Sequence, residues 1–329
     1  MATVLEDRLN LAIRQVGSTI LGKEHAIRLA LSCLLARGHL LIEDLPGMGK
    51  TTLAHALARC LGLHYQRIQF TSDLLPADIL GAAVYERQRE TFVFHPGPIF
   101  AQLILADEIN RATPKTQSAL LEAMEEGQVT IEGETRKLPD PFFVIATQNP
   151  AYQIGTFPLP ESQLDRFLMR IELGYPDAQA ERLLLEGEDR RDVLARLPAC
   201  LTPAQLHEAQ ARVTGIHAAP PLLDYIQGLL TFSRQSSHFR GGLSPRAGLA
   251  LLRAARAWAL LHQRDHVLPE DVQTVLSAVV GHRLHPSEDQ MCIRDRWCSM
   301  RLLLSPHARF VAPPSLYVLA KSPNSRQAI

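Results

Sequence analysis

The sequence of 329 residues lacks several features that would indicate the class of protein directly. No apolar run comes close to the roughly 20 residues that a membrane-spanning helix requires, so we expect no membrane span. The five cysteines are odd in number and show no paired spacing typical of a metal site, which favours buried thiols in a reducing compartment. Lysine plus arginine and aspartate plus glutamate both total 34, and this net charge of zero provides no general basic field for nucleic acid.

What remains is the composition of an ordinary globular protein, with 46% hydrophobic and 21% charged residues. The length allows one large or two modest domains. The N-terminal segment has the pattern of an amphipathic helix that carries Glu6, Asp7 and Arg8, and we therefore expect it not to be a signal peptide. Together these features predict a cytoplasmic protein.

The most informative segment is Leu40–Leu53, with the sequence LLIEDLPGMGKTTL. An apolar strand leads into a loop with Gly47 and Gly49, and Lys50 and Thr51 follow at the start of a helix. Glycines let backbone amides turn toward an anion, and the helix N-terminus adds the positive end of its dipole. The lysine of such a loop reaches the β- and γ-phosphates, and the threonine hydroxyl binds Mg²⁺. The segment predicts a nucleoside-triphosphate site; the alternative is a strand–turn–helix junction with a chance lysine.

The loop departs from the full phosphate-binding pattern at one position. That pattern has glycine six residues before the lysine, where this sequence has Asp44. Two glycines remain to make the turn, so we interpret the loop as a functional variant. The residues predicted to bind the nucleotide are Asp44, Leu45, Pro46, Gly47, Met48, Gly49, Lys50, Thr51 and Thr52.

Residues 1–175 alternate between helical and strand patterns, which predicts an α/β domain with a parallel sheet covered on both faces. The predicted strands are Leu40–Ile42, Tyr65–Gln69, Leu103–Ala106, Phe142–Ala146 and Met169–Leu173, and the predicted helices between them are 23–36, 50–61 and 114–126.

Two segments with alternating polarity interrupt this order and predict hairpins. The first, AAVYERQRETFVF at 82–94, has its polar turn at Gln88–Glu90. The second, at Gln128–Leu138, turns at Glu132-Gly133.

From 176 to 290 only helical patterns occur, which predicts an all-helical second domain. The helical segments are 177–196, 203–213, 220–235, 245–264 and 269–283. Residues 291–329 form an atypical tail without helical or strand periodicity, and we assign it no function. Its run MCIRDR resembles a translated sequencing adapter, and an artefactual and a disordered tail both stay open.

Two acidic residues follow the apolar strand Leu103–Ala106. A triphosphate site needs a carboxylate at a strand end for the Mg²⁺ shell, and Asp107 is placed for that role. Hydrolysis also needs a group that accepts a proton from water, and Glu108 is the candidate general base. A strand that ends in solvated acids is the alternative.

The next buried strand ends in Thr147-Gln148-Asn149. Carboxyl ends of parallel strands meet at one edge of the sheet, here beside the phosphate loop. The Asn149 amide can orient the attacking water, although a capping asparagine would have the same pattern. Arg166 and Arg246 could stabilise charge on phosphoryl oxygens through their planar guanidinium groups, although most arginines are surface residues.

The phosphate loop and four later segments, in this order, resemble the MoxR family of AAA+ ATPases over roughly residues 10–285. Those segments are LILADEINRA, ATQNP, PESQLDRFLMRI and GGLSPRAGLALLRAARAWAL. The resemblance implies a P-loop NTPase core with a parallel sheet, followed by a small all-helical lid domain. It also implies that Val16–Lys23 contacts the adenine and that the hairpins are the helix-2 and pre-sensor-1 insertions.

The resemblance assigns roles to single residues. Lys50 and Thr51 correspond to the Walker A motif, and Asp107 and Glu108 to the Walker B motif. Asn149 corresponds to sensor 1, and Arg246 to sensor 2, which reaches the nucleotide from the lid. Arg166 corresponds to an arginine finger that acts on a neighbouring subunit's nucleotide, with Arg170 as a second choice.

The function implied by the resemblance is ATP hydrolysis with Mg²⁺ by a ring, expected to be a homo-hexamer. It would be coupled to chaperone-like remodelling or maturation of protein clients, including partners with a von Willebrand factor A domain. Two other classes stay open: a nucleic-acid-dependent AAA+ motor and a nucleotide-gated regulatory module. The mixed-sign hairpin sequence EGETRK disfavours the first, and the lack of an Asn-Lys-x-Asp guanine signature disfavours a GTPase.

Overall fold

The computed structural model describes residues 2–88, 90–149, 155–285 and 287. The predicted tail at 291–329 therefore lies outside the described residues, as do Cys292, Cys298 and Arg89 of the first hairpin turn. Within the described residues, no helix combines the length and the apolar character needed to cross a membrane.

The chain divides into two compact units, Met1–Val213 and a second that begins at Thr214. The helices of the first unit are α1 (Ala2–Thr19), α2 (Glu24–Leu35), α3 (Lys50–Cys60), α4 (Pro76–Leu80), α5 (Pro114–Glu126), α6 (Glu161–Leu164), α7 (Ala178–Glu186), α8 (Arg190–Arg196) and α9 (Pro203–Gly215), which crosses the boundary. Its strands are β1 (Leu40–Glu43), β2 (Tyr65–Gln69), β3 (Gly81–Glu86), β4 (Thr91–Pro96), β5 (Leu103–Asp107), β6 (Gln128–Ile131), β7 (Glu134–Lys137), β8 (Phe143–Gln148) and β9 (Met169–Ile171).

Five parallel strands form the central sheet in the order β2-β5-β8-β1-β9. All side chains of β5 and most of those of β1 and β8 are buried, as expected for strands covered on both faces. All five predicted strands are present, with ends that differ by at most two residues. Because the strands are parallel, the carboxyl ends of β1, β5 and β8 meet at one edge.

The two predicted hairpins are present as separate two-stranded antiparallel sheets, β3–β4 and β6–β7. The guanidinium carbon of Arg136 in β7 lies 4.1 Å from the centre of the Phe94 ring in β4, so the hairpins touch. The β3–β4 hairpin exposes Val84, Tyr85 and Phe92.

The helix predicted at 177–196 is instead two helices, α7 and α8. Gly187 follows α7 in an extended conformation, and Asp189 begins α8 by accepting a hydrogen bond from the Arg191 amide at 2.8 Å. A glycine and an N-capping aspartate so close together favour a break over a continuous helix.

The unit boundary falls later than the 175/176 boundary expected from the sequence, because the segment after 176 makes contacts with the first unit. The amide of Cys200 donates to the carbonyl of Cys60 at 2.7 Å, at the end of α3. In α9, the Gln210 side chain donates to the Leu34 carbonyl at 3.0 Å.

The described part of the second unit is mainly helical, and a single β-bridge joins His217 to His266 within it. Its helices are α10 (Pro220–Gln235), α11 (Pro245–Leu261) and α12 (Pro269–Val280). Arg264 forms a two-pronged ion pair with the buried Asp271, whose Oδ2 also accepts from the Leu268 amide at the start of α12. This pair fixes the α11–α12 connection.

Candidate active site

The phosphate loop has the backbone conformation that its two glycines permit. Gly47 and Gly49 both have φ of 86°, and Gly49 is the N-cap of α3. A Cβ at Gly47 would meet nothing within 4 Å, so the left-handed conformation, and not lack of space, explains the glycine there. A Cβ built on Gly49 would lie 3.6 Å from Ile20 Cδ1, which places the 16–23 segment beside the loop.

Lys50 is the first residue of α3 and only 8% exposed. Its ammonium group donates to the carbonyl oxygens of Asp44 at 2.5 Å and Leu45 at 2.9 Å. Burial lowers the pKa of Lys50, while the negative charges of Asp44, Asp107 and Glu108 act in the opposite direction. The lysine is thus held inside the loop beside three carboxylates.

Asp44, the departure from the phosphate-loop pattern, has a structural role here. Its Oδ2 accepts hydrogen bonds from the amides of Leu173 at 2.8 Å and Gly174 at 2.6 Å, just after β9. Its Oδ1 accepts from the Leu45 amide at 2.8 Å. The side chain therefore ties the phosphate loop to the neighbouring strand connection.

The two acids after β5 are held by the end of β8. The Thr147 hydroxyl donates to Asp107 Oδ1 at 2.6 Å and accepts from the Glu108 amide at 2.9 Å. Glu108 has a left-handed backbone with φ of 58°, which is uncommon for a residue other than glycine and is concentrated at functional sites. One hydroxyl thus fixes both acidic residues.

The Glu108 carboxylate has partners on both oxygens. Oε1 accepts from the Asn149 amide nitrogen at 3.0 Å. Oε2 accepts from Gln69 at 3.2 Å and pairs with Arg111 Nε at 2.9 Å. Asn149 itself is 3% exposed, and its carbonyl accepts from the Asn110 side chain at 3.2 Å.

These elements surround one pocket of about 320 Å³. The residues that line it are Pro46, Gly47, Gly49, Lys50, Thr51, Thr52, Asp107, Glu108 and Asn149. A glycine cradle with an ammonium group suits phosphates, and the oxygen atoms of Thr51 and Asp107 suit a hard cation such as Mg²⁺. The donor set therefore fits a nucleoside triphosphate with its Mg²⁺.

Nine of the residues predicted from the sequence thus come together, and several others lie elsewhere. Asp44, Leu45 and Met48 do not line the pocket among the described residues. Arg166, after α6, pairs through Nε with Glu125 of α5 at 3.0 Å. Arg246, exposed in the first turn of α11, belongs to the second unit.

Arg170 has a different environment from Arg166. It pairs with Glu43 at 3.0 Å between the adjacent strands β9 and β1, and both side chains are largely buried. An arginine held inside its own sheet is poorly placed to act on a neighbouring subunit.

Sequence reasoning did not identify Thr147, Gln69, Arg67 or Arg111 as site residues. Arg67 on β2 binds Asp107 Oδ2 through Nη2 at 2.6 Å and Nε at 3.1 Å. For Thr147, Gln69 and Arg111 the available signal was a position at or near the end of a predicted element, whereas Arg67 lies in the middle of β2. Their partners follow only from the strand order, which places β2 and β8 on either side of β5.

Comparison with known proteins agrees with this fold. Residues 39–169 match the profile of the "ATPase family associated with various cellular activities (AAA)", and residues 231–295 match the AAA lid domain. A crystal structure of a putative ATPase from Cytophaga hutchinsonii superposes with a TM-score of 0.83 at 34% identity, over 92% of this chain and 95% of that one.

Curated relatives are similar over most of the chain. Chaperone MoxR1 of Mycobacterium tuberculosis is 40% identical over 84% of this chain and 75% of its own length. Protein MoxR of Paracoccus denitrificans is 35% identical over 82% and 86% respectively, and the uncharacterized protein YeaC of Bacillus subtilis is 44% identical over 86% and 89%. The similarity extends through both units, and the chain belongs to the MoxR family of AAA+ ATPases.

Proposed function

We propose that this protein hydrolyses ATP with Mg²⁺ and uses the turnover for chaperone-like remodelling or maturation of partner proteins. The observation that carries the proposal is the convergence of Lys50, Asp107, Glu108 and Asn149 on one pocket beside a glycine cradle. Each group corresponds to a separate requirement of phosphoryl transfer: phosphate binding, metal binding, base catalysis and orientation of water.

The nucleotide would be held by the loop 44–52 and the start of α3. Pro46, Gly47, Gly49, Thr51 and Thr52 line the pocket with the backbone and hydroxyl groups that a phosphate chain needs. Asp44 contributes indirectly, because its side chain anchors the loop and its carbonyl accepts from Lys50. Thr51 and Asp107 would hold Mg²⁺, which neutralises charge on the phosphates when bound.

Glu108 would accept the proton of the attacking water as general base. Asn149 donates to one oxygen of the Glu108 carboxylate, so the base and the amide that orients water are held together. The hydroxyl of Thr147 fixes the backbone of the base beside the metal carboxylate. This arrangement limits the reorientation needed before proton transfer.

The complete site would be shared between subunits of a homo-hexameric ring. Arg166 would be the finger for a neighbour's nucleotide, and Arg246 would reach the nucleotide from the lid. The proposal is supported by the absence of Arg166 from the described lining of its own pocket. In a ring with closed cyclic symmetry, each Arg166 can reach the nucleotide pocket of one neighbouring subunit.

The proposed role in partner maturation is supported by the relatives, because one of them is named chaperone MoxR1. Proteins with a von Willebrand factor A domain are the partners we propose, in the cytoplasm. The exposed β3–β4 hairpin is a surface that nucleotide-driven movement could present to such a client.

The first test compares wild type with Glu108→Gln. We expect the variant to retain ATP binding and to lose about 100-fold or more in turnover, because the amide cannot accept the proton. Steady-state phosphate release and binding of a fluorescent ATP analogue measure the two effects. Glu126→Gln, an exposed glutamate at the end of α5, is the matched control. Wild-type turnover in Glu108→Gln would remove the base assignment.

A further inference from the structure

Arg67 makes a close ion pair with the carboxylate proposed to hold Mg²⁺. Its Nη2 lies 2.6 Å and its Nε 3.1 Å from Asp107 Oδ2. The Asp107 side chain is only 9% exposed, so this pairing takes place with little water around the acceptor. Strand register explains the contact, because β2 runs parallel to β5 and its last residue, Gln69, is opposite Asp107.

The same guanidinium group reaches the general base through one intervening side chain. Arg67 Nη2 also donates to Gln69 Oε1 at 2.8 Å. The Gln69 amide nitrogen in turn donates to Glu108 Oε2 at 3.2 Å. Arg67 therefore fixes which way the Gln69 amide points, since the oxygen faces the arginine and the nitrogen faces the glutamate.

The hydrogen bonds of Asp107 leave few positions for a cation. A carboxylate has about four lone-pair sites. Thr147 takes one of them on Oδ1, and the two Arg67 contacts take those on Oδ2. A cation or its water that approaches Oδ2 must compete with a guanidinium group, and it also meets a positive charge.

We propose that Arg67 is a positioning residue that sets the Mg²⁺ requirement of the site and, through Gln69, orients Glu108 for catalysis. The inference rests on the proposed function of the pocket. Arg67 weakens the hold of Asp107 on Mg²⁺ and strengthens the alignment of the base. Loss of Arg67 should therefore raise the affinity for Mg²⁺ and lower kcat. General damage to the fold would lower both.

The test is a Mg²⁺ titration of Arg67→Gln with a non-hydrolysable ATP analogue, followed by the rise in melting temperature. We expect the half-saturating Mg²⁺ concentration to fall by about three- to tenfold, because one positive charge beside Asp107 is gone. In a separate ATPase assay, we expect kcat to fall about tenfold or more, because Gln69 loses the partner that orients it.

A second variant at Arg67 separates charge from geometry, and a variant outside the site provides a control. Arg67→Lys keeps the positive charge but lacks the planar fork that serves Asp107 and Gln69 together. We expect its half-saturating Mg²⁺ concentration to stay near the wild-type value while its kcat stays low. Arg28→Gln, which removes an arginine from a surface ion pair with Glu24, should match wild type in both assays.

A half-saturating Mg²⁺ concentration that is unchanged or higher in Arg67→Gln would overturn the proposal, and so would an unchanged kcat. The melting temperature without nucleotide and Mg²⁺ shows whether each variant is folded. If wild type shows Mg²⁺-dependent stabilisation but no turnover, the proposed hydrolysis fails, while the shift in Mg²⁺ requirement still decides the role of Arg67 at Asp107.

Discussion

At the scale of single residues, the hydroxyl of Thr147 determines the geometry of both acids. It accepts from the backbone of Glu108 and donates to the side chain of Asp107, and Thr147 is fully buried. A hydroxyl can do both at once because it carries one donor and two lone pairs.

Thr147→Val should impair turnover and stability together, because the isosteric valine leaves a buried amide and carboxylate oxygen without their partner. We expect a loss of about 1–3 kcal/mol in the free energy of unfolding and a fall of about tenfold in kcat. Thermal unfolding and steady-state ATPase assays measure these effects. Thr147→Ser retains the hydroxyl and should stay close to wild type; a valine variant with normal kcat would contradict the role given to Thr147.

His39 is a second residue with a defined physical role, at the amino-terminal end of β1. Its Nδ1 accepts from the Val144 amide at 3.1 Å, so its Nε2 carries the proton and donates to the Met124 carbonyl at 3.1 Å. Burial lowers the pKa of His39 to about 4, and the hydrogen bond to Met124 opposes that effect. The neutral ring therefore joins β1 to β8 and α5.

Acid should destabilise the first unit through His39. The unfolded state has the ordinary histidine pKa of about 6.5, so it binds more protons than the folded state between pH 6.5 and 4. The free energy of unfolding is highest above pH 6.5. It declines as the pH falls through this window, by about 2 kcal/mol at pH 5.

Urea titrations at pH 7.5 and pH 5 test this prediction. His39→Gln should lose less stability than wild type between the two pH values, because the glutamine that replaces His39 does not titrate. His64→Gln changes an exposed histidine and should follow wild type. Equal losses in wild type and His39→Gln would show that another group controls the acid response.

At the scale of elements, local sequence patterns were enough to predict the strands and most helices. Apolar segments bounded by turn residues located β1, β5, β8 and β9, and the Thr113-Pro114 cap located the start of α5. The more polar β2, with the sequence YQRIQ, was placed by the alternation of helix and strand patterns. The five-residue α4 and four-residue α6 were not predicted, because such short helices contain too little periodicity. The break between α7 and α8 was missed although Gly187 and Asp189 signal it.

Side-chain contacts across the sheet could not be predicted in the same way. Motifs identified Lys50, Asp107, Glu108 and Asn149, because each follows or precedes an element with a recognisable pattern. Arg67 and Gln69 contact the acids only because β2 is next to β5, and strand order is not contained in local periodicity. The orientation of Asp44 toward the end of β9 depends on strand order as well.

At the scale of the whole molecule, we propose that each active site is completed by a second subunit. Within one chain Arg166 pairs with Glu125, and the pocket is lined by other residues. Arg166 would serve a neighbouring subunit's pocket, and ATP turnover would then depend on assembly. The family of the chain supports this proposal, because in a closed ring each Arg166 can reach the pocket of the next subunit.

The most direct test mixes two inactive variants. Lys50→Ala should lose nucleotide binding, Arg166→Ala should retain binding without turnover, and their equimolar mixture should assemble with ATP into particles of wild-type size. An equimolar mixture should recover activity up to about a quarter of the wild-type level, because about one interface in four combines an intact pocket with an intact finger. Full activity of Arg166→Ala as a monomer, or no recovery in rings shown to contain both variants, would contradict a site shared between subunits.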